Sequence, residues 1–118
     1  MDCRKKLQLA YNILIKEYSD RIREITLYKD RAVLKAIFHN EINLHIRYND
    51  YGEYTYCVIY SPNLDDQMRF DNYDNRWNVK TRPHHFHIRG LQSVKESPMK
   101  GEPRQDIPVL IKKIIEYF

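Results

Sequence analysis

The stretch EINLHIRYNDYGEYTYCVIY, residues 41–60, decides the fold of this 118-residue chain. Residues 41–48 alternate strictly between polar and apolar side chains. Residues 53–60 set three tyrosines and Val58 against Thr55, Cys57 and Ile59. The intervening Asn-Asp-Tyr-Gly, residues 49–52, is a strong turn signal. The stretch therefore predicts two neighbouring antiparallel strands, each with one face buried against a core.

Further strand-like segments lie on both sides of this pair. They cover residues 21–28, 31–38 and 67–71, with a short edge strand at 84–88 that follows Pro83. Connections as short as residues 29–30 and 39–40 favour an antiparallel meander over crossover units. Residues 72–82 are polar and rich in turn formers. Residues 90–104 contain Pro98, Gly101 and Pro103 among charges, which predicts an exposed loop.

Each end of the chain has the apolar spacing of a helix. Asp2 can cap the first helix, residues 19–20 are a plausible break after it, and Asp106 with Pro108 opens the last helix. The two apolar stripes are Leu7, Ala10, Tyr11, Leu14, Ile15 and Tyr18, and Ile107, Leu110, Ile111, Ile114, Ile115 and Phe118. We therefore expect a single α+β domain, residues 1–118. It combines an antiparallel meander of five to six strands with two helices on one face of the sheet.

Composition narrows the class of partner. The net charge of +4 and the isoelectric point near 9.0 favour polyanions such as RNA, although a basic domain without a nucleic-acid role fits equally well. Cys3 and Cys57 form no CxxC motif, which agrees with a reducing compartment. With no signal peptide and no apolar run of membrane-spanning length, we expect a cytoplasmic protein without a membrane partner.

Residues 69–89, RFDNYDNRWNVKTRPHHFHIR, concentrate the side chains that carry chemistry. They contain the only Trp, three of the five His, and five Arg or Lys against two Asp. Because residues two apart in a strand share a face, His85 and His87 are expected to project together and His84 to point away. We expect the functional site in this segment.

Three interpretations of the segment stay open at this point. Histidines can supply the acid and base for metal-independent RNA cleavage, with cations on the phosphate and aromatic rings stacked on bases. The cations are Arg69, Arg76, Lys80, Arg82 and Arg89, and the rings are Trp77, Phe86 and the tyrosines. Alternatively, His85 and His87 are two ligands of a metal, with Asp71, Asp74 or His45 as the third. In the third interpretation the histidines are only polar surface and Trp77 belongs to the core.

Three short segments resemble the TumE-type toxin family of prokaryotic toxin–antitoxin systems. They are YGEYTY at residues 51–56, RFDN at 69–72 and PHHFH at 83–87. The resemblance implies a growth-inhibiting toxin encoded beside an antitoxin, which often carries a DNA-binding domain. The residues that match the family's polar positions are Arg69, Asp71, Asn72, His84, His85 and His87. The chain departs from the pattern at residues 73–77, YDNRW, where the family often has a His-Pro-containing loop.

The residue chemistry and the resemblance together predict a toxin that acts on RNA as a metal-independent ribonuclease, without a cofactor. Its expected partners are a cognate antitoxin and RNA, and a homodimer is a further option. The predicted catalytic residues are His84, His85, His87, Arg69 and Asp71. The predicted substrate-binding residues are Asn72, Arg76, Trp77, Arg82, Arg89 and Tyr54. The alternatives are a non-catalytic RNA- or protein-binding module and a His-rich metal-binding domain.

Overall fold

A computed structural model describes residues 2–116. They form a seven-stranded antiparallel sheet, with one helix before it and one helix after it in the chain. The strands follow one another in the sheet in chain order, as a continuous meander. The elements are α1 (Cys3–Tyr18), a short 3-10 turn (Ser19–Arg21), β1 (Ile22–Tyr28), β2 (Val33–Phe38), β3 (Asn43–Tyr48), β4 (Tyr54–Ile59), β5 (Gln67–Asp71), β6 (His85–His87), β7 (Val94–Glu96) and α2 (Pro103–Ile115). The predicted α+β meander is confirmed.

The prediction was wrong about residues 90–104, which are not simply an exposed loop. Val94–Glu96 is a seventh strand, so the sheet has one more strand than the five to six expected. It pairs with the outer edge of β6, whose backbone groups otherwise face water. The chain then turns inward, because Ser97 is buried and Met99 is fully enclosed in the core. A strand of three residues, two of them charged, is too short to show a local pattern that predicts it.

The core lies between the helices and one face of the sheet. Strand residues on this face are buried because the two-residue period of a strand directs alternate side chains to one side. The sheet contributes Leu34, Ala36, Phe38, Leu44, Ile46, Tyr48, Tyr54, Tyr56, Val58, Met68 and Phe70. The helices contribute Leu7, Ala10, Leu14, Ile107, Leu110, Ile111 and Ile114. Both helices pack on this face of the sheet, as expected. They also pack against each other.

The first helix begins where its cap was predicted. The Asp2 carboxylate accepts a hydrogen bond of 2.9 Å from the Lys5 backbone N–H, which satisfies one free donor of the first turn. The predicted stripe is wrong at Ile15, which remains 40% exposed. Ile15 lies about 100° around the helix from the buried Leu14, at the edge of the face that contacts the sheet.

The last helix begins three residues before the predicted start, at Pro103 rather than Asp106. Proline fits the first helical position because its missing N–H would have no partner there. Pro108 lies inside the helix and not at its opening. The final residue of the predicted stripe, Phe118, lies outside the described residues.

Asp106 anchors α2 to the sheet through a buried polar network. Its carboxylate accepts hydrogen bonds from the Tyr56 hydroxyl at 2.7 Å and from the backbone N–H groups of Gly101 and Lys100 at 2.7 and 2.9 Å. The Tyr48 hydroxyl lies 3.0 Å from that of Tyr56. Burial raises the pKa of both tyrosines, so each hydroxyl keeps its proton for these bonds.

The helices leave the opposite face of the sheet free for polar side chains. We call this face, formed by the strand residues that point away from α1 and α2, the open face. Within residues 2–116, no helix is long and apolar enough to cross a membrane.

Candidate functional site

The register between β5 and β6 brings charged and histidine side chains of residues 69–87 together on the open face. Asp71 lies opposite His85, and Arg69 lies opposite His87. All four residues occupy alternate positions, so their side chains project to the same side. Residues 72–84 connect the two strands and place Trp77 over the histidines.

Asp71 is the centre of this cluster. Its side chain is only 4% exposed, yet it accepts hydrogen bonds on both oxygens. Oδ2 accepts from Arg69 Nε at 2.7 Å, and Oδ1 accepts from the Tyr73 backbone N–H at 3.2 Å. His85 Nε2 lies 2.9 Å from Oδ1. A buried carboxylate is stable only with such partners, so Asp71 fixes the positions of Arg69 and His85.

His85 is enclosed, and each of its ring nitrogens faces an oxygen atom. The residue is 1% exposed. Nε2 faces the Asp71 carboxylate at 2.9 Å, and Nδ1 faces the Pro83 carbonyl oxygen at 2.8 Å. Both oxygens are acceptors, and a ring that donates from both nitrogens is an imidazolium. Two acceptor oxygens at these distances therefore favour a protonated His85 ring, with Asp71 as its counter-charge.

His87 has the opposite character and is accessible from solvent. Its side chain is 23% exposed, and its Nε2 lies 2.9 Å from Arg69 Nη2. Because a guanidinium only donates, His87 Nε2 must accept, which requires the neutral ring. Burial and then the Arg69 charge lower the pKa of His87, although Asp71 opposes them, and this favours the neutral ring.

Trp77 and Arg76 form an outer wall over the cluster. The Trp77 ring centroid lies 5.6 Å from that of His87, with the two rings perpendicular. The Arg76 guanidinium lies 4.5 Å from the Trp77 ring and forms a 3.0 Å ion pair with Asp74. Two hollows of about 340 and 280 Å³ share the wall made by Arg69, Arg76, Trp77 and His87. A ligand in either hollow would meet both cations.

The same cluster contains a set of metal-ligating atoms. One ligand atom from each of Asp71, His85 and His87 lies within 4.8 Å of the others. Arg69, however, donates to both Asp71 and His87, and both nitrogens of His85 are used by oxygens. A metal would require Arg69 to withdraw and His85 to lose a proton. The Arg69 guanidinium therefore competes with a metal for Asp71 and His87. The other two candidates for third ligand, Asp74 and His45, are not members of the set.

A comparison with known families identifies the family of the chain. Residues 9–118 match the family described as Toxin TumE. The chain belongs to the TumE toxin family. The match begins within α1 and includes the whole sheet and α2, and the family implies an antitoxin as a partner. No curated protein and no solved structure matches the chain.

Not all of the residues that resemble the TumE pattern lie in the cluster. His84 points to the helix side of the sheet, as its position in the strand predicted. There its Nδ1 lies 2.9 Å from the buried Tyr54 hydroxyl, and the two rings stack. Burial, and next Lys100, lower the pKa of His84, which favours the neutral ring beside the Tyr54 hydroxyl. These two residues connect the core to the loop that precedes β6.

Asn72 also has a structural position in this TumE-family chain. Its side chain accepts from the Tyr54 backbone N–H at 3.0 Å and donates to the Gly52 carbonyl at 3.1 Å. It therefore closes the end of β5 onto the turn before β4. Phe86, predicted as a stacking surface, lies against the core residue Phe70 with ring centroids 4.4 Å apart.

Two predicted phosphate contacts lie apart from the cluster. Arg89 pairs with Asp66 at 2.6 Å and covers the Tyr60 ring at 3.8 Å, where it connects two loops. Arg82 lines a third hollow of about 850 Å³ beside β7, together with Lys80. None of the three histidines is among the residues that line that hollow.

Sequence reasoning missed two residues that line the hollow of about 340 Å³ beside Asp71. Thr55 lies opposite Asp71 on β4, and Tyr73 contributes its backbone N–H to the Asp71 carboxylate. The alternation of residues 53–60 already assigned Thr55 to the open face. Its proximity to Asp71 depends on the pairing of β4 with β5.

Proposed function

We propose that this TumE-family toxin cleaves single-stranded RNA on the open face without a metal, with His87 as the general base. The observation that carries the proposal is the contact between Arg69 Nη2 and His87 Nε2 at 2.9 Å, inside a solvent-accessible hollow. It joins a cation suited to a phosphate with a neutral base at hydrogen-bonding distance.

Phosphate binding would activate the base. A phosphate oxygen is a better acceptor for a guanidinium than an imidazole nitrogen is, because the resulting bond joins opposite charges. Arg69 then turns Nη2 toward the phosphate and releases the lone pair of His87 Nε2. Arg76 lines the same hollow and supplies a second cation. The buried pair of Asp71 and His85 keeps Arg69 in place through its Nε bond to Asp71.

The reaction then needs one proton transfer to His87. The ribose 2′-hydroxyl gives its proton to Nε2, and the 2′-oxygen bonds to phosphorus as the bond from phosphorus to the 5′-oxygen breaks. The leaving 5′-oxygen takes a proton from solvent, and His87 later returns its proton to water. The products are a 2′,3′-cyclic phosphate and a free 5′-hydroxyl. Trp77, beside His87, offers an aromatic edge and face to an unpaired base.

The test is a cleavage assay on labelled single-stranded RNA in the presence of EDTA. We expect the parent protein to produce fragments with cyclic phosphate ends, and we expect His87→Ala to lower the rate by about 10²- to 10⁴-fold. His39→Ala is the matched control, because His39 lies exposed in the turn between β2 and β3. DNA of the same sequence lacks the 2′-hydroxyl and should stay intact.

Two results would reject the proposal. One is cleavage by His87→Ala at the parent rate, which would remove the histidine from the chemistry. The other is a parent protein that binds the RNA but never cleaves it, which would favour the non-catalytic binding module.

A further inference from the structure

The antiparallel register continues the site across the sheet as two rows of open-face side chains. Each row takes one residue from each successive strand, because paired residues on neighbouring strands share a face. The first row is Lys35, His45, Cys57, Arg69 and His87. The second row is Arg47, Thr55, Asp71 and His85. Both rows end at the cluster described above.

The far part of these rows is positively charged. The open faces of β2, β3 and β4 carry Lys35 and Arg47 and include no carboxylate. Burial, and then Lys35 and Arg47 in that order, lower the pKa of His45, which lies between them. Lys35 is also held by the Tyr28 ring, whose centroid lies 5.6 Å from its Nζ. The positive potential therefore belongs to fixed, neighbouring side chains.

We propose that this surface, Lys35, His45 and Arg47 on the open face, is a binding track for the single-stranded RNA that the proposed function cleaves. The inference rests on that function for the identity of the polyanion. It adds that the substrate is a strand several nucleotides long. The base contacts made at Trp77 would account for only one end of it.

The dimensions of the sheet support an extended strand. Neighbouring strands lie about 4.8 Å apart, so the four steps from Lys35 to His87 span about 19 Å. Single-stranded nucleic acids occupy sheet surfaces of this kind with about four or more nucleotides, and cations follow their backbone. Phosphates bound at Lys35 and Arg47 would lead the chain toward Arg69.

An RNA that cannot be cleaved separates this inference from the proposed function. The probe is a fluorescent 2′-O-methyl RNA of about eight nucleotides, whose affinity is measured by anisotropy at several salt concentrations. The test variant is Lys35→Ala/Arg47→Ala. The matched control is Lys16→Ala/Arg104→Ala, which removes one Lys and one Arg from exposed positions on the helix side.

Loss of two phosphate contacts gives a defined result. Each contact contributes about 0.7 to the slope of log affinity against log salt, so the slope should fall by about 1.4 and Kd should rise about 25-fold at about 0.1 M salt. The control double variant should bind like the parent. Circular dichroism of each variant establishes that the sheet is retained.

The remaining outcomes are equally decisive. Binding of the test variant within about twofold of the parent, or no RNA binding by the parent, would overturn the track. Loss of antitoxin binding in the test variant, with RNA affinity unchanged, would assign the face to the protein partner instead. If the parent binds through Lys35 and Arg47 but never cleaves unmodified RNA, the track stands and the ribonuclease proposal fails.

Discussion

Replacing Asp71 by Asn would remove the negative charge that lies between His85 and Arg69. One carboxylate oxygen lies 2.9 Å from His85 Nε2, and the other accepts from Arg69 Nε at 2.7 Å. An amide of the same shape has one oxygen and one donor group, so it must direct N–H groups against one of these two donors. The substitution also leaves the His85 imidazolium buried without a counter-charge.

The expected loss follows from burial. Breaking a buried ion pair by removing one partner costs about 3–5 kcal/mol. Arg69 is 43% exposed and can regain water, whereas His85 is 1% exposed and cannot. We therefore expect the lower end, about 3 kcal/mol of the free energy of unfolding. With a slope of about 2 kcal/mol per molar urea, the unfolding midpoint should fall by about 1.5 M.

Urea unfolding measures this change through two signals. Trp77 is the only tryptophan and its ring centroid lies 5.8 Å from that of His85, so its emission reports on the cluster, while far-ultraviolet circular dichroism reports on the sheet. Asp74→Asn is the control, because that carboxylate forms an ion pair with Arg76 at the surface and should lose less than about 1 kcal/mol.

A double-mutant cycle sharpens the result. In Asp71→Asn/His85→Gln the buried cation is absent, so the double variant should lose less than the sum of the single losses, by about 1–3 kcal/mol. If Asp71→Asn alone lost less than about 1 kcal/mol, or the losses were additive, His85 could not be the buried cation inferred here.

Four further predictions concern His87, the glycines Gly101 and Gly52, and Asn72. Burial and Arg69 hold the pKa of His87 below 6.5, so Arg69→Gln should raise it toward that value in an NMR titration; an unchanged or lower pKa would contradict the contact. Because the pKa of His87 is lower in the folded protein, the unfolded chain binds the proton of His87 at a higher pH than the folded protein does. His87 should therefore lower the free energy of unfolding as the pH falls below 6.5, and this decrease should be smaller in Arg69→Gln. Gly101→Ala should destabilise the protein by about 2 kcal/mol, because φ is +86° and the new Cβ would lie 3.0 Å from an aromatic carbon of Tyr54. Gly52→Ala, at φ +80°, meets nothing within 4 Å and should destabilise it by about 1 kcal/mol. Thermal unfolding measures both changes. Asn72→Ala should lose about 1–2 kcal/mol through two backbone hydrogen bonds and leave RNA affinity unchanged; weaker binding by a folded variant would restore its predicted substrate role.

Local pattern was sufficient for most of the fold. The alternation of residues 41–60 identified β3 and β4, because a half-buried strand must change side at every residue. Short connections then left a meander as the simplest arrangement. The pattern failed at Val94–Glu96, where one apolar and two charged residues become a strand only because the edge of β6 lies beside them.

The candidate site was predicted less completely. Period two correctly separated His84 from His85 and His87. No spacing within residues 69–89 distinguishes Arg69, which touches His87, from Arg89, which pairs with Asp66 in another loop. Those contacts depend on where residues 72–84 return the chain to the sheet, which is a non-local property.

By itself, the sequence determined which side chains share a face, since that follows from the period of each strand and helix. It also identified the family through motifs in residues 51–56, 69–72 and 83–87. Only the tertiary structure decided that Asp71 faces His85 and Arg69 faces His87, because cross-strand register is set by pairing between distant segments. That register encloses His85 beside the Asp71 carboxylate and leaves His87 accessible beside the Arg69 guanidinium.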